Sequence, residues 1–234
     1  MTTSASCRLC NSGALSLISQ DERHGRPFYL CPDCGLISVP AQYHLSVADE
    51  IARYALHDNT LSNQGYVDFL SEVADIAVSV ASEMSRSHSH NHPIKLLDFG
   101  CGKEAVLCRL LERRGIGIDC YPYDPLYDEL RQLPDAVDKC DIIVANEVVE
   151  HLRDIVGELR LMVGLLRDDG GVIILRTRLY DDSGVDASDG FRKWWYAQDP
   201  THINFFGRQS LSKWASIIDK RVEETGSRDI FILR

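Results

Sequence analysis

The 234-residue chain carries 25 Lys and Arg against 35 Asp and Glu, a net charge of −10. Its length suits one α/β domain with a small appendage. Its acidity, with Arg113-Arg114 the one short basic run, argues against a surface built to hold a nucleic-acid backbone. No apolar stretch is long enough to cross a bilayer and the N-terminus has no charged-then-apolar leader, so the expectation is a cytoplasmic protein without a membrane partner.

Cys7-x2-Cys10 and Cys31-x2-Cys34, twenty residues apart, set four thiolates in the spacing of two knuckles around one tetrahedral zinc ion. Gly35 follows the last thiol, where a knuckle favours positive φ. Phe28-Tyr29-Leu30 supplies a hairpin strand between the knuckles, and His24 lies in a solvated turn. So small a module has little apolar core, so the metal is expected to be structural. Cys101, Cys108, Cys120 and Cys140 are scattered and read mainly as buried packing.

Ser46-x-x-Asp49 starts a helix over 47–57, and Tyr66, Phe69, Leu70, Val73 and Ile76 mark a second over 65–83. These helices either cap a sheet or form a lid, in which His57 and Asn59 would touch cofactor or substrate. Residues 85–92, with three histidines at alternate positions, read as a polar linker.

Ile94 to Phe99 is a short buried strand, Gly100 and Gly102 a tight turn, and Val106, Leu107, Leu110 and Leu111 the stripe of an amphipathic helix. This is the first β-loop-α unit of an open parallel sheet, with Asp98 at the strand end where such sheets bind ligands. Residues 98–102 (DFGCG) resemble the first motif of class I S-adenosylmethionine (SAM) methyltransferases, although Glu104 stands in the third glycine position. The resemblance implies a Rossmann-like α/β sandwich, SAM as cofactor, and Asp98, Gly100, Cys101 and Gly102 at its site.

The second strand, 117–124, contains Pro122 and ends in Asp124, an acid placed to accept hydrogen bonds from ribose hydroxyls. Only 126–139 precedes the next strand, so a third strand is reduced or absent. Residues 141–146 (DIIVAN) form a buried strand followed by Glu147-Val148-Val149-Glu150-His151. That run is similar to the corresponding motif of the quinol-O-methyltransferase-like (methyltransferase type 23-like) branch, which implies that Asn146 and Glu147 border the methionine part of SAM. A helix over 155–166, the Gly170-Gly171 turn and a strand over 172–177 continue the likeness.

After a polar loop over 180–192, Trp194-Trp195-Tyr196, Asp199-Pro200-Thr201-His202 and Phe205-Phe206 resemble methyltransferases of this branch that carry an N-terminal zinc ribbon. The aromatics read as a substrate lid over a small-molecule acceptor, with packing on the sheet edge as the alternative. A helix over 210–219 and strands over 222–224 and 229–233, the last antiparallel, close the chain. Methyl transfer to an oxygen, nitrogen or carbon nucleophile would rest mainly on alignment. His202, with Asp199 near it, is the first candidate for a base and His151 the second, unless His151 instead fixes Glu147.

The expected organisation is a zinc ribbon over 1–42, a helical cap and linker over 43–92, and a SAM-binding methyltransferase domain over 93–234. The expected function is O-methylation of a sugar, quinol or secondary metabolite. The rivals are an RNA or protein methyltransferase docking through its ribbon, and a non-catalytic SAM-binding or zinc-ribbon module. The sequence does not fix the oligomeric state.

Overall fold

The computed structural model describes residues 6–87, 93–115, 117–133, 137–181 and 190–234. In chain order come β1 (Ser16–Gln20), β2 (Pro27–Leu30), β3 (Ile37–Ser38), α1 (Val47–Tyr54), α2 (Gln64–Ser87), β4 (Ile94–Phe99), α3 (Val106–Arg114) and β5 (Ile118–Tyr123). There follow β6 (Ile142–Asn146), α4 (Ile155–Leu165), β7 (Val172–Arg176), α5 (Trp195–Gln198), β8 (Asn204–Phe205), α6 (Arg208–Ser216), β9 (Val222–Glu224) and β10 (Ile230–Leu233). Of the linker histidines, His88, His90 and His92 lie outside the described residues, as do 182–189 of the polar loop.

Packing divides the chain into two units that cut across the segments 1–42, 43–92 and 93–234. A ribbon unit combines Met1–Glu50, Val149–Arg160 and Thr177–Val222; a sheet unit combines Ile51–Val148, Leu161–Arg176 and Glu223–Arg234.

The sheet unit holds strands in the order β5-β4-β6-β7-β10-β9. β5, β4, β6 and β7 run parallel, and β10 pairs antiparallel with β7. Parallel strands buried on both faces read as unbroken apolar runs, and β6 and β7 do. Alternate residues (Ile94 and Leu96, Ile142 and Val144, Val172 and Ile174) share one face. They pack with Leu70, Val73, Ala74 and Ala77 of α2 and with Leu107 and Leu110 of α3.

Pro122 is accommodated because β5 is an edge strand, where one lost ladder donor is tolerated. Among the described residues between β5 and β6 there is no further strand. Cys108 of α3 and Cys120 of β5 form a disulfide (S–S 2.08 Å), so these two cysteines do more than pack; Cys101 and Cys140 are free and buried.

Several helix ends differ from the expected ones. α1 stops at Tyr54, where a turn closes by donation from the His57 N–H to the Tyr54 carbonyl (3.0 Å). α2 runs on to Ser87, with the Ser85 hydroxyl donating back to the Ala81 carbonyl (2.9 Å) inside it. α6 starts at Arg208, since Ser210 is its third residue and its Oγ accepts from the Gly207 N–H (2.9 Å).

The ribbon unit is built on the sheet β1-β2-β3-β8. β3 is only two residues long, and its outer partner comes from far along the chain: Ile37 pairs with Phe205 and Ser38 with Asn204. Phe28, Ile37, Phe191, Trp194, Tyr196, Ile203 and Phe205 form its core. Buried Arg26 pairs with Asp21 (3.1 Å) and donates to the carbonyls of Ala197 (2.8 Å) and His202 (3.0 Å). The four-thiol module is thus packed with the aromatic segment 191–206.

Candidate active site and metal centres

In the sheet unit the carboxyl end of β4 is the focal point. Register sets Asp98 beside Pro122 of β5 and Val144 of β6. The turn after it folds back on β5, with the Gly100 and Cys101 N–H groups both donating to the Tyr123 carbonyl (2.8 and 3.2 Å). Gly100 has φ +76°, and a Cβ there would lie 2.6 Å from Val148 Cγ2. Gly102 has φ +68°, and its Cβ would meet nothing within 4 Å among the described residues. One glycine is demanded by packing; the other leaves open space above the turn.

Asp124 holds that turn. Its Oδ2 accepts from the Gly102 N–H and its Oδ1 from the Leu126 N–H, each at 2.9 Å. Burial raises its pKa while these two donors oppose the shift. Asp98 is buried, its Oδ2 has no hydrogen-bond partner among the described residues, and burial followed by the Asp124 charge pushes its pKa up to about 7. Asn146, ending β6, also buries an Oδ1 that has no partner among the described residues.

Glu147 follows with φ +53°, a left-handed conformation uncommon for a non-glycine residue, and its N–H donates to the Arg176 carbonyl (3.0 Å). Cys101 is buried and its thiol pKa is raised by desolvation, then by Asp98. Tyr66 of α2 lies within the field of Asp98, Cys101 and Glu147, with its own pKa raised chiefly by burial. Helical spacing marked Tyr66 only as part of an apolar stripe. His57 and Asn59 are exposed on the turn after α1.

The structure offers here unpartnered acceptors at the ends of adjacent strands, beside a glycine that opens onto free space. A ligand bearing an ammonium donor and a positive charge matches that deficit, and SAM carries both.

In the ribbon unit, the aromatic run is mostly internal. Trp194 and Tyr196 are buried, at 8% and 1% exposure, while Trp195 is 60% exposed with the Arg178 guanidinium 5.1 Å from its ring centroid. The Tyr196 hydroxyl donates to Oε1 of fully buried Glu150 (2.6 Å), and the Thr177 hydroxyl to Oε2 (3.3 Å). His202 is buried, its ring 4.7 Å from that of His151 and 4.1 Å from Tyr196.

The group orienting His202 is the Tyr196 carbonyl, which accepts from Nδ1 (2.7 Å). Asp199 instead holds the turn, its Oδ1 accepting from the Thr201 hydroxyl (2.7 Å) and N–H (3.0 Å). His151 Nδ1 donates to the Thr201 carbonyl (3.1 Å), and its Nε2 lies 3.9 Å from Glu150 Oε1. The segment is held by the Ile203 and Asn204 N–H groups on the Glu150 carbonyl. Desolvation, then the neighbouring His151, lowers the His202 pKa to about 3. Glu150 and Thr177 were not legible as site residues, and Tyr196 only as part of the aromatic lid, because a glutamate after a strand ordinarily faces water.

The four thiols converge as their spacing predicts. Sγ of Cys7 lies 3.6 Å from Cys34 and Sγ of Cys10 lies 3.5 Å from Cys31, with all four within 4.8 Å. Tetrahedral zinc with Zn–S near 2.3 Å implies sulfur separations of about 3.8 Å, so the donor set fits the ion. Each knuckle turns on a left-handed residue after its second thiol, Asn11 (φ +61°) and Gly35 (φ +74°). Their N–H groups donate to the carbonyls of Cys7 and Cys31, both at 2.8 Å.

Residues 66–219 match the family described as a methyltransferase domain, about two thirds of the chain. The chain therefore belongs to that family, within the class I SAM-dependent methyltransferases. No curated protein matches it. Among solved structures, a chain of the Haloferax volcanii complex between the Trm112 methyltransferase activator and a methyltransferase is 17% identical. That match covers 76% of this chain and 78% of that one, with a TM-score of 0.51, and shows the shared fold. TnmH is 14% identical with a TM-score of 0.45; the match covers 74% of this chain and spans 58% of TnmH. The plantazolicin methyltransferase BpumL, in complex with S-adenosylhomocysteine and a desmethyl analogue, is 13% identical over 76% of this chain and 80% of that one, with a TM-score of 0.44.

Proposed function

We propose that the chain binds SAM at the carboxyl ends of β4, β5 and β6 and methylates a small-molecule acceptor, oxygen being the favoured atom. The observation that carries this is the buried, unpartnered Oδ2 of Asp98 beside the open turn at Gly102. SAM, when bound, supplies a methyl group activated by its sulfonium charge. Asp98 and Asn146 accept from the ligand's ammonium group, Gly100 and Gly102 keep the turn close to it, and Cys101 and Glu147 line it. Asp124 offers its remaining lone pairs to the ribose hydroxyls while tethering Gly102.

On the acceptor side, Trp195 is the exposed aromatic plate, its ring 5.5 Å from that of buried Tyr196, which in turn packs on buried Trp194 (5.0 Å). His202 and His151 present ring nitrogens, and Asp199 sets the turn that carries His202. The acidic composition supports a small acceptor over a nucleic acid. Zinc held by Cys7, Cys10, Cys31 and Cys34 has the structural role.

Calorimetry with SAM and S-adenosylhomocysteine tests the cofactor site. Asp124→Ala should weaken both by about 1–3 kcal/mol, through lost ribose contacts and a loosened turn. Equal affinity in wild type and variant would remove Asp124 from the site; no binding by wild type would overturn the cofactor reading. Release of S-adenosylhomocysteine across a panel of hydroxylated small molecules tests the reaction.

A further inference from the structure

We infer a second metal site, distinct from the four thiols, in which Glu150, His151 and His202 hold a divalent transition-metal ion. One donor atom from each of the three lies within 4.8 Å of the other two. They form a small cluster whose carboxylate is wholly buried and whose second histidine is 7% exposed.

The hydrogen bonds prepare the donors. A carbonyl oxygen can only accept, so the bonds from Nδ1 of His202 to Tyr196 O (2.7 Å) and from Nδ1 of His151 to Thr201 O (3.1 Å) require the proton on Nδ1 in both rings. In the neutral form of each ring the lone pair is then on Nε2, the nitrogen left to bind a metal, while Nδ1 is braced on a backbone carbonyl as the far nitrogen of a ligating histidine usually is. The carboxylate is braced too, by the Tyr196 and Thr177 hydroxyls on its two oxygens. Fixed ligands with their supporting bonds in place lose little freedom on binding an ion.

The chemistry favours a cation over an empty cluster. The Glu150 carboxyl group and two imidazole rings set one oxygen and two nitrogen donors together in a poorly solvated interior. A divalent ion turns that arrangement into three bonds. Two nitrogens and one oxygen suit zinc, iron, cobalt or manganese better than calcium, which prefers an all-oxygen shell. Three protein ligands leave coordination positions for water or a ligand oxygen, unlike the closed four-thiol site. With the ion bound, both Nε2 lone pairs are engaged and neither ring is a base.

Cobalt(II) separates the two sites, because thiolate ligands give strong charge-transfer absorption and a nitrogen–oxygen site does not. Full-length protein stripped of metal and titrated with cobalt should take up one equivalent per chain without thiolate bands, apart from any equivalent with them. Glu150→Gln, which keeps the side-chain shape, and half-buried His151→Ala should each weaken the thiolate-free equivalent by more than about tenfold. Both variants should keep the thiolate-bound signal and a cooperative thermal melt. Wild type that shows no thiolate-free equivalent, or variants that both retain it unweakened, would overturn the site.

Discussion

At the scale of the residue, Asp98 is the group whose chemistry most depends on its surroundings. The Asp124 charge adds to burial in raising its pKa, and Tyr66 and Cys101 are the other titratable groups within its field. Tyr66 and Cys101 stay neutral near pH 7 because burial raises both. With a folded pKa of about 7 against an ordinary 3.8, the folded protein binds the extra proton. Stability is therefore lost as pH rises from the unfolded value to about 7, and the whole penalty is present above it. A cationic ligand sees the opposite trend, since it pairs with the ionised form. Between about pH 6 and pH 8 the SAM affinity of wild type should rise roughly tenfold more than that of Asp98→Asn, the ratio of ionised fractions around such a pKa. The ligand's own titration is common to both proteins, so calorimetry on the pair isolates Asp98. The variant without ligand should also melt higher than wild type at pH 8. Parallel pH dependences would mean that Asp98 does not charge in the site.

At the scale of the element, the two turn glycines look alike in sequence and differ in what they meet. Gly100→Ala forces a methyl into Val148 at a positive φ, so it should cost about 2–4 kcal/mol in urea denaturation. Gly102→Ala carries only the left-handed penalty of about 1–2 kcal/mol, and its methyl enters open space. Its larger effect should be on SAM affinity, measured by calorimetry. Equal stability losses with unchanged affinity would show that the space above Gly102 is not used.

The sequence carried this β-loop-α unit well because a buried strand, glycines and a helical stripe are all local signals. Gly35 was legible for the same reason, whereas Asn11 in the matching position of the first knuckle was not, because asparagine takes left-handed φ less obligatorily. β8 was illegible altogether: two residues have no period, and their partner lies some 165 residues earlier in the chain. The Glu150 cluster failed to show for a related reason. Its members come from 150–151, 177 and 196–202, and only tertiary structure brings them together.

At the scale of the molecule, the ribbon unit is assembled from three stretches of chain, and this changes what its metal should stabilise. The knuckles position β2 and β3, and β3 pairs directly with β8 through Ile37–Phe205 and Ser38–Asn204. The same core holds Phe28 against Phe191 (5.0 Å between ring centroids) and Phe205 (5.6 Å). A ribbon that folds with its ion should therefore carry part of the order of 191–206 with it. Cys31→Ser removes one thiolate and should lower the zinc content measured by elemental analysis. By hydrogen exchange it should deprotect the amides of β3 and β8 together, while those of β6, at the centre of the sheet unit, keep their protection. A ribbon that ended near residue 42 would predict a different pattern, with exchange faster only in the first segment. Protection of Asn204 and Phe205 that survives the loss of zinc would show that β8 is held by its aromatic packing alone; full zinc content in Cys31→Ser would show that the ion does not need the fourth thiol.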